Sequence, residues 1–246
     1  MKKNFFVSVV IVVICLTSLM STCFAGAWSK YATTDLRHAG TGIYYGRGVK
    51  GDFKLPDINA NKTNSGIGYY NFITFEQWIY VNDNSGDWLE IGYMDGSINH
   101  MQLGRTNYKG FYKAKEYNGT YWEVKLDKTA SVGTTYTFTI VDVNHNGLWE
   151  IYIGSTYFGS FDGTIKRSTD LKIDQGYEFN IEPGSATPTR QTTYIKNQKW
   201  YFKDNSGNTW RDFSSASGSV SPYNNATNYI TSVTFNSSQK QSDFIK

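Results

Sequence analysis

Short stretches of alternating apolar and polar residues, each closed by a cluster of Gly, Asn, Asp or Ser, follow one another along most of the chain. An alternation of two places successive side chains on opposite faces of a β-strand, and no stretch carries the 3.6-residue period of a helix. On this pattern strands are predicted over residues 71–81, 87–94, 108–116, 121–126, 134–143, 148–153, 177–182, 194–203, 209–213 and 229–235, with a further short strand over Ile43–Gly46. Turns fall at Asn82–Gly86, Asn118-Gly119, Asn146-Gly147 and Asp204–Gly207, and Asn-Gly pairs mark hairpins because both residues tolerate positive φ. Residues 56–68 read as a surface loop, the chain loosens after Asp162, and a polar tail follows Phe235.

Many short strands separated by turns build a sandwich or barrel, and no linker divides the chain. A single β-sandwich domain over residues 26–246 is therefore expected. It is preceded by a signal peptide over 1–25: Lys2 and Lys3, an apolar run from Phe5 to Met20, and small residues around Ala25-Gly26-Ala27. Cleavage after Ala25 and after Ala27 fits equally. The expected location is extracellular, in the manner of bacterial secretion, with acylation of Cys23 as the minor alternative. Both cysteines, Cys15 and Cys23, lie in this leader, so the mature chain has neither a disulfide nor a Cys-ligated metal. Against 24 basic side chains stand 21 acidic ones, and without Lys2 and Lys3 the balance is +1. No basic run points to nucleic acid or to an anionic membrane surface. The 19 tyrosines and 7 tryptophans fit strands with amphipathic rings on the surface.

Following the alternation, Leu89, Ile91 and Tyr93 share one face of the 87–94 strand, and Trp88, Glu90 and Gly92 the other. Tyr177, Phe179 and Ile181 likewise oppose Glu178, Asn180 and Glu182. The polar faces collect Trp78 with Tyr80, Trp88 with Glu90, Tyr121 with Glu123, Glu150 with Tyr152, and Glu178 with Glu182. Glu123 and Glu150 are expected on solvated faces. Glu90 and Glu178, flanked by rings, are expected to be partly buried, which raises a carboxyl pKa and suits acid or base work.

In order and spacing these landmarks resemble the glutamic peptidases, or eqolisins. Tyr45-Gly46 stands where the family has an early Trp-Gly. Trp78 in Gln77-Trp-Ile-Tyr-Val81 matches its Trp-Val-Gly strand, and Trp88-Leu-Glu-Ile-Gly92 its Leu-Gln-Thr-Gly strand. Gly176-Tyr-Glu-Phe-Asn-Ile-Glu182 matches its Ala-Glu-Trp-Ile-Val-Glu, and Lys199-Trp-Tyr-Phe-Lys-Asp204 its Phe-Thr-Asp strand. The resemblance implies a concanavalin-like jelly-roll sandwich of two antiparallel sheets, seven strands each. It implies a catalytic Glu at Glu178 and places Glu90 on the family's catalytic Gln. An ionised carboxylate there has no proton to donate to an oxyanion; a protonated one has.

Three functional readings follow. The first is an extracellular, monomeric binding protein for peptide or glycan with a degenerate dyad, its ligand held by Trp78, Tyr80, Trp88 and Tyr45. The second is an acid-active endopeptidase using Glu178 and Glu90. The third, a glycoside hydrolase, rests on the faint resemblance of Trp149–Ile153 to a nucleophile strand of one jelly-roll class and lacks the Glu-x-Asp-x-x-Glu signature. Tyr152 is a further candidate ring for glycan. No cofactor or metal is expected: Asp142-Val-Asn-His-Asn-Gly147 opens like a calcium loop, but Ile153 stands where the bidentate Glu belongs, and a hairpin turn is the simpler reading.

Overall fold

The computed structural model describes residues 29–37, 47–61, 71–81, 87–100, 104–117, 119–163, 172–181, 189–204, 207–212, 215–220 and 232–245. The leader, Cys23, the Ile43–Gly46 segment with Tyr45, and Glu182 lie outside them. Every element among the described residues is a strand or turn. In chain order the strands are β1 (Ser29–Arg37), β2 (Gly48–Lys54), β3 (Ile58–Asn59), β4 (Phe72–Tyr80), β5 (Trp88–His100), β6 (Gly104–Tyr117), β7 (Thr120–Lys125), β8 (Thr135–Val141) and β9 (Leu148–Ile153). They continue as β10 (Thr156–Asp162), β11 (Lys172–Asn180), β12 (Thr189–Arg190), β13 (Thr193–Asp204), β14 (Gly207–Asp212), β15 (Ser215–Val220), β16 (Ser232–Asn236) and β17 (Gln241–Ile245).

Two antiparallel sheets form a sandwich. One is seven-stranded in the order β15-β1-β11-β4-β5-β6-β7; the other is eight-stranded, β10-β9-β8-β2-β13-β17-β16 with β14 paired to β13. The chain passes from one sheet to the other and back repeatedly, so strands far apart in sequence lie side by side, which is the jelly-roll arrangement. The eighth strand exceeds the seven per sheet that the resemblance implies.

The inward positions of both sheets meet in one apolar core. Its centre is aromatic. Phe53 of β2 stacks on Phe138 of β8 at 4.5 Å and meets Phe75 of β4 edge-on at 5.3 Å, and Phe75 also contacts Tyr177 of β11 and Phe244 of β17. Beside these rings runs a buried polar chain. Gln198 of β13 donates to Gln175 of β11 at 2.6 Å, Gln175 donates to Gln77 of β4 at 2.8 Å, and Ser242 of β17 donates to Gln198 at 3.0 Å. The Gln198–Gln175 bond crosses from one sheet to the other, and each amide satisfies its neighbour in the chain, which offsets the cost of burying it.

Several expectations need correction. The 56–68 segment is not simply surface loop: Ile58 and Ala60 are fully buried, and β3 pairs with β12. The polar tail forms β17, because Phe244 enters the core. β1, β2, β10, β12 and β15 have no counterpart in the alternation pattern. In β10 the register shifts between Tyr157 and Ser160, and Gly159 takes φ 90°, so a bulge erases the two-residue period.

Candidate functional site

The site is built from cross-strand rows on the outer face of the seven-stranded sheet. Directly opposed residues of an antiparallel pair lie on the same face, so the register fixes which side chains are neighbours. One row reads Asp174, Trp78, Glu90, Ala114, Glu123 across β11, β4, β5, β6 and β7. The row on one side reads Gly176, Glu76, Gly92, Tyr112, Lys125, and the row on the other carries Tyr80, Trp88, Glu116 and Tyr121. Glu178 lies one row beyond Glu76, opposite Thr74.

The centre of this face is dry. Glu76 is 1% exposed, Glu90 7% and Tyr112 2%, and Met94, Tyr112 and Ala114 form an apolar cluster flanked by Phe72, Trp88 and Tyr108. Gly92 makes room for it. A Cβ there would stand 2.7 Å from the Glu76 Cβ and 2.9 Å from the Tyr112 ring, so only glycine lets the two side chains converge above β5. The Tyr112 hydroxyl then lies within hydrogen-bonding reach of both Glu76 Oε2 and Glu90 Oε1.

No lysine or arginine pairs with either carboxyl among the described residues, so burial decides their charge. It raises Glu90 to about 8; hydrogen bonds from Glu76 and Tyr112 pull it down, and the charges of Glu178 and Glu123 push it up. Glu76 is raised well above the usual carboxyl range, first by burial and then by the charge of Glu90. Burial and the two carboxyls likewise hold the Tyr112 phenol well above its ordinary value. At neutral pH the site therefore holds a neutral Glu90, with the donor proton that an ionised carboxylate lacks.

Glu90 and Glu178 share a sheet and a face, but not a row. They flank β4 on either side and are four positions apart along it, roughly 13 Å at 3.3 Å per residue. Glu178, half-buried, acts on Glu90 through its charge. Trp78 is buried, its indole N–H donating to the Tyr80 hydroxyl at 2.6 Å, so its ring is closed to stacking. Tyr80 and Trp88 are half-buried, and Trp88 meets Tyr121, 41% exposed, edge-on at 5.9 Å.

Glu123 is a correction: it is buried beside this cluster rather than solvated. Glu150 and Tyr152 belong to the other sheet, where the Tyr152 hydroxyl donates to Glu150 at 2.7 Å, so that ring is not part of this face. Glu76, Tyr112 and Asp174 escaped the sequence reading. Alternation alone puts Glu76 on the face of Trp78, but nothing local says that β6 brings a tyrosine to it.

Asp142 closes the calcium-like loop on itself: its carboxylate accepts from the backbone N–H of Asn146 and Gly147, both at 3.0 Å, and pairs with Arg47 at 3.2 Å. Its oxygens are committed to the turn. No group of three or more metal-ligating side chains occurs among the described residues, and none of these residues forms a helix long and apolar enough to cross a membrane.

No family model and no curated protein matches the chain. Among solved structures, a glycoside hydrolase family 16 endo-glucanase from Bacteroides ovatus, in complex with G4G3G-2F-DNP, is similar over 70% of this chain and 80% of its own, at 16% identity and a TM-score of 0.37. A Bacteroides ovatus mixed-linkage glucan GH16 protein in complex with a G4G4G3G product is similar over 70% and 81%, also at 16% identity and a TM-score of 0.37. Likeness at that level assigns neither an activity nor a ligand to this chain.

Proposed function

We propose that the protein is a secreted binding protein that holds an extended extracellular polymer, polypeptide or glycan, against the outer face of its seven-stranded sheet. The observation that carries this reading is the buried Glu76–Tyr112–Glu90 cluster. Among the described residues no cation pairs with these two carboxyls, so they cost stability wherever they are ionised, and buried, mutually perturbed titratable groups of this kind concentrate at functional sites. A neutral Glu90 suits the carbonyls and hydroxyls of an uncharged polymer. Trp88, Tyr80 and Tyr121 supply rings at its edge, and Glu178 a more accessible carboxyl.

Sedimentation of the mature chain with insoluble glucans, and its retention on immobilised denatured casein, test this. Trp88→Ala and Glu178→Ala are expected to weaken retention at least fivefold. Retention by every polymer unchanged in both variants would overturn the reading.

A second reading, hydrolysis on the glutamic-peptidase pattern, is favoured by one observation: the raised Glu90 has the donor that the family's Gln amide would supply. Glu90 would then donate to the oxyanion, and Glu178, on the far side of β4 and four positions along it, would have to reach the same carbonyl through the water it activates. Release of soluble products from casein, lost in Glu178→Ala, distinguishes it from binding alone. No release at any pH from 2 to 9, a range set about the ordinary and raised carboxyl values, excludes it.

A further inference from the structure

Three groups meet at the centre of the face: the Tyr112 hydroxyl is hydrogen-bonded to Glu76 and to Glu90, and the two carboxyls are close enough to share a proton. Each contact uses one proton, and the three groups own three. When all are neutral, every contact is filled. When one carboxyl ionises, two protons remain, and both point at the anion. The triangle therefore tolerates the loss of one proton, but not of a second, which would leave two carboxylates sharing one donor in a dry site.

The two carboxyls are not equivalent. Glu76 is the deeper, flanked in its row by Gly92 and Gly176, while Glu90 lies beside the half-buried Trp88 and within the fields of Glu178 and Glu123. The other titratable groups around Glu90 are Tyr80 on β4, Tyr121 on β7, Asp174 on β11 and Glu116 on β6. Of the lysines in the two adjoining rows, Lys125 is turned to Thr106 and the Tyr108 ring, and Lys172 stands at the β11 end of the Tyr80 row.

We propose that these three residues act as a proton-sharing triad in which Glu90 exchanges its proton with the ligand or solvent, while Glu76 and Tyr112 are positioning residues that donate to the carboxylate left behind. Without their donation a carboxyl this dry would stay neutral throughout the physiological range. With it, Glu90 both gives and takes a proton near neutrality. The inference rests on the reading of this face as the ligand site, but its test needs no ligand.

The full mature chain, labelled with 13C at glutamate side-chain carboxyls, is titrated by NMR from pH 4 to pH 10, a range spanning the ordinary and raised values. One carboxyl is expected to titrate at about 8 and to vanish from the spectrum of Glu90→Gln. Tyr112→Phe and Glu76→Leu each remove a donor and move that midpoint up by about one unit, a tenfold gain in proton affinity. Glu76→Gln keeps a donor and leaves it within about half a unit. A midpoint in the ordinary carboxyl range in the unaltered chain overturns the proposal without any variant. So does a midpoint that falls in Tyr112→Phe, since that is the response of a phenol accepting from Glu90. Amide dispersion matching the parent chain confirms that each variant is folded, and a triad that behaves as expected while every polymer fails to bind locates the error in the function proposed for the face.

Discussion

At Glu90, burial and hydrogen bonding act in opposite senses, and their balance makes stability depend on pH. A carboxyl raised from about 4.5 to about 8 on folding binds its proton more tightly in the folded state. Its contribution is complete below the unfolded value, falls as pH rises through that window, and is gone above about 8. Thermal or denaturant unfolding between pH 5.5 and 7, inside that window, is expected to lose about 1.4 kcal/mol per pH unit from this residue. Glu90→Gln, neutral in both states, removes that slope, and a slope unchanged in the variant would refute the assignment. Gly92 makes the complementary prediction. Gly92→Ala drives a methyl against Glu76 and Tyr112 and is expected to cost about 1–3 kcal/mol of unfolding free energy, while moving the Glu90 midpoint measured by NMR.

Among the elements, β17 shows how little local pattern is needed when tertiary structure supplies the partner. Its sequence, Gln241-Ser-Asp-Phe-Ile245, is polar apart from its end, yet Phe244 is fully buried against Phe75 and Tyr177. Phe244→Ala is expected to cost about 3–5 kcal/mol, the range for losing a buried phenyl ring, measured by urea unfolding. A cost below about 1 kcal/mol would mean that β17 does not close the core. β5 is the opposite case. Its alternation of Leu89, Ile91 and Tyr93 against Trp88, Glu90 and Gly92 is legible from sequence because each residue satisfies its own face. β10 falls between them: its residues are β-prone, but the bulge at Tyr157–Ser160 shifts the pattern out of step.

At the scale of the whole molecule, the two sheets are joined by the Gln77–Gln175–Gln198–Ser242 chain as well as by aromatic packing. Gln175→Leu strands a carbonyl of Gln77 and an amide of Gln198 in the core. It is expected to cost at least about 2 kcal/mol, whereas replacing Gln77, Gln175 and Gln198 together by apolar residues recovers much of that loss. Equilibrium unfolding of the single and triple variants checks it. What the sequence by itself determined was the kind of molecule: the two-residue period, the Asn-Gly turns and the absence of any helical period dictate short antiparallel strands, because these are local consequences of side-chain placement and backbone strain. It also identified Glu90 and Glu178 as carboxyls on ring-bearing faces. Only the tertiary structure decided that β4 lies between them, that Glu76 and Tyr112 are the groups Glu90 touches, and that Trp78 is closed to a ligand. Strand order and register are set by the packing of residues more than a hundred positions apart, and alternation along one strand contains no information about which strand lies beside it.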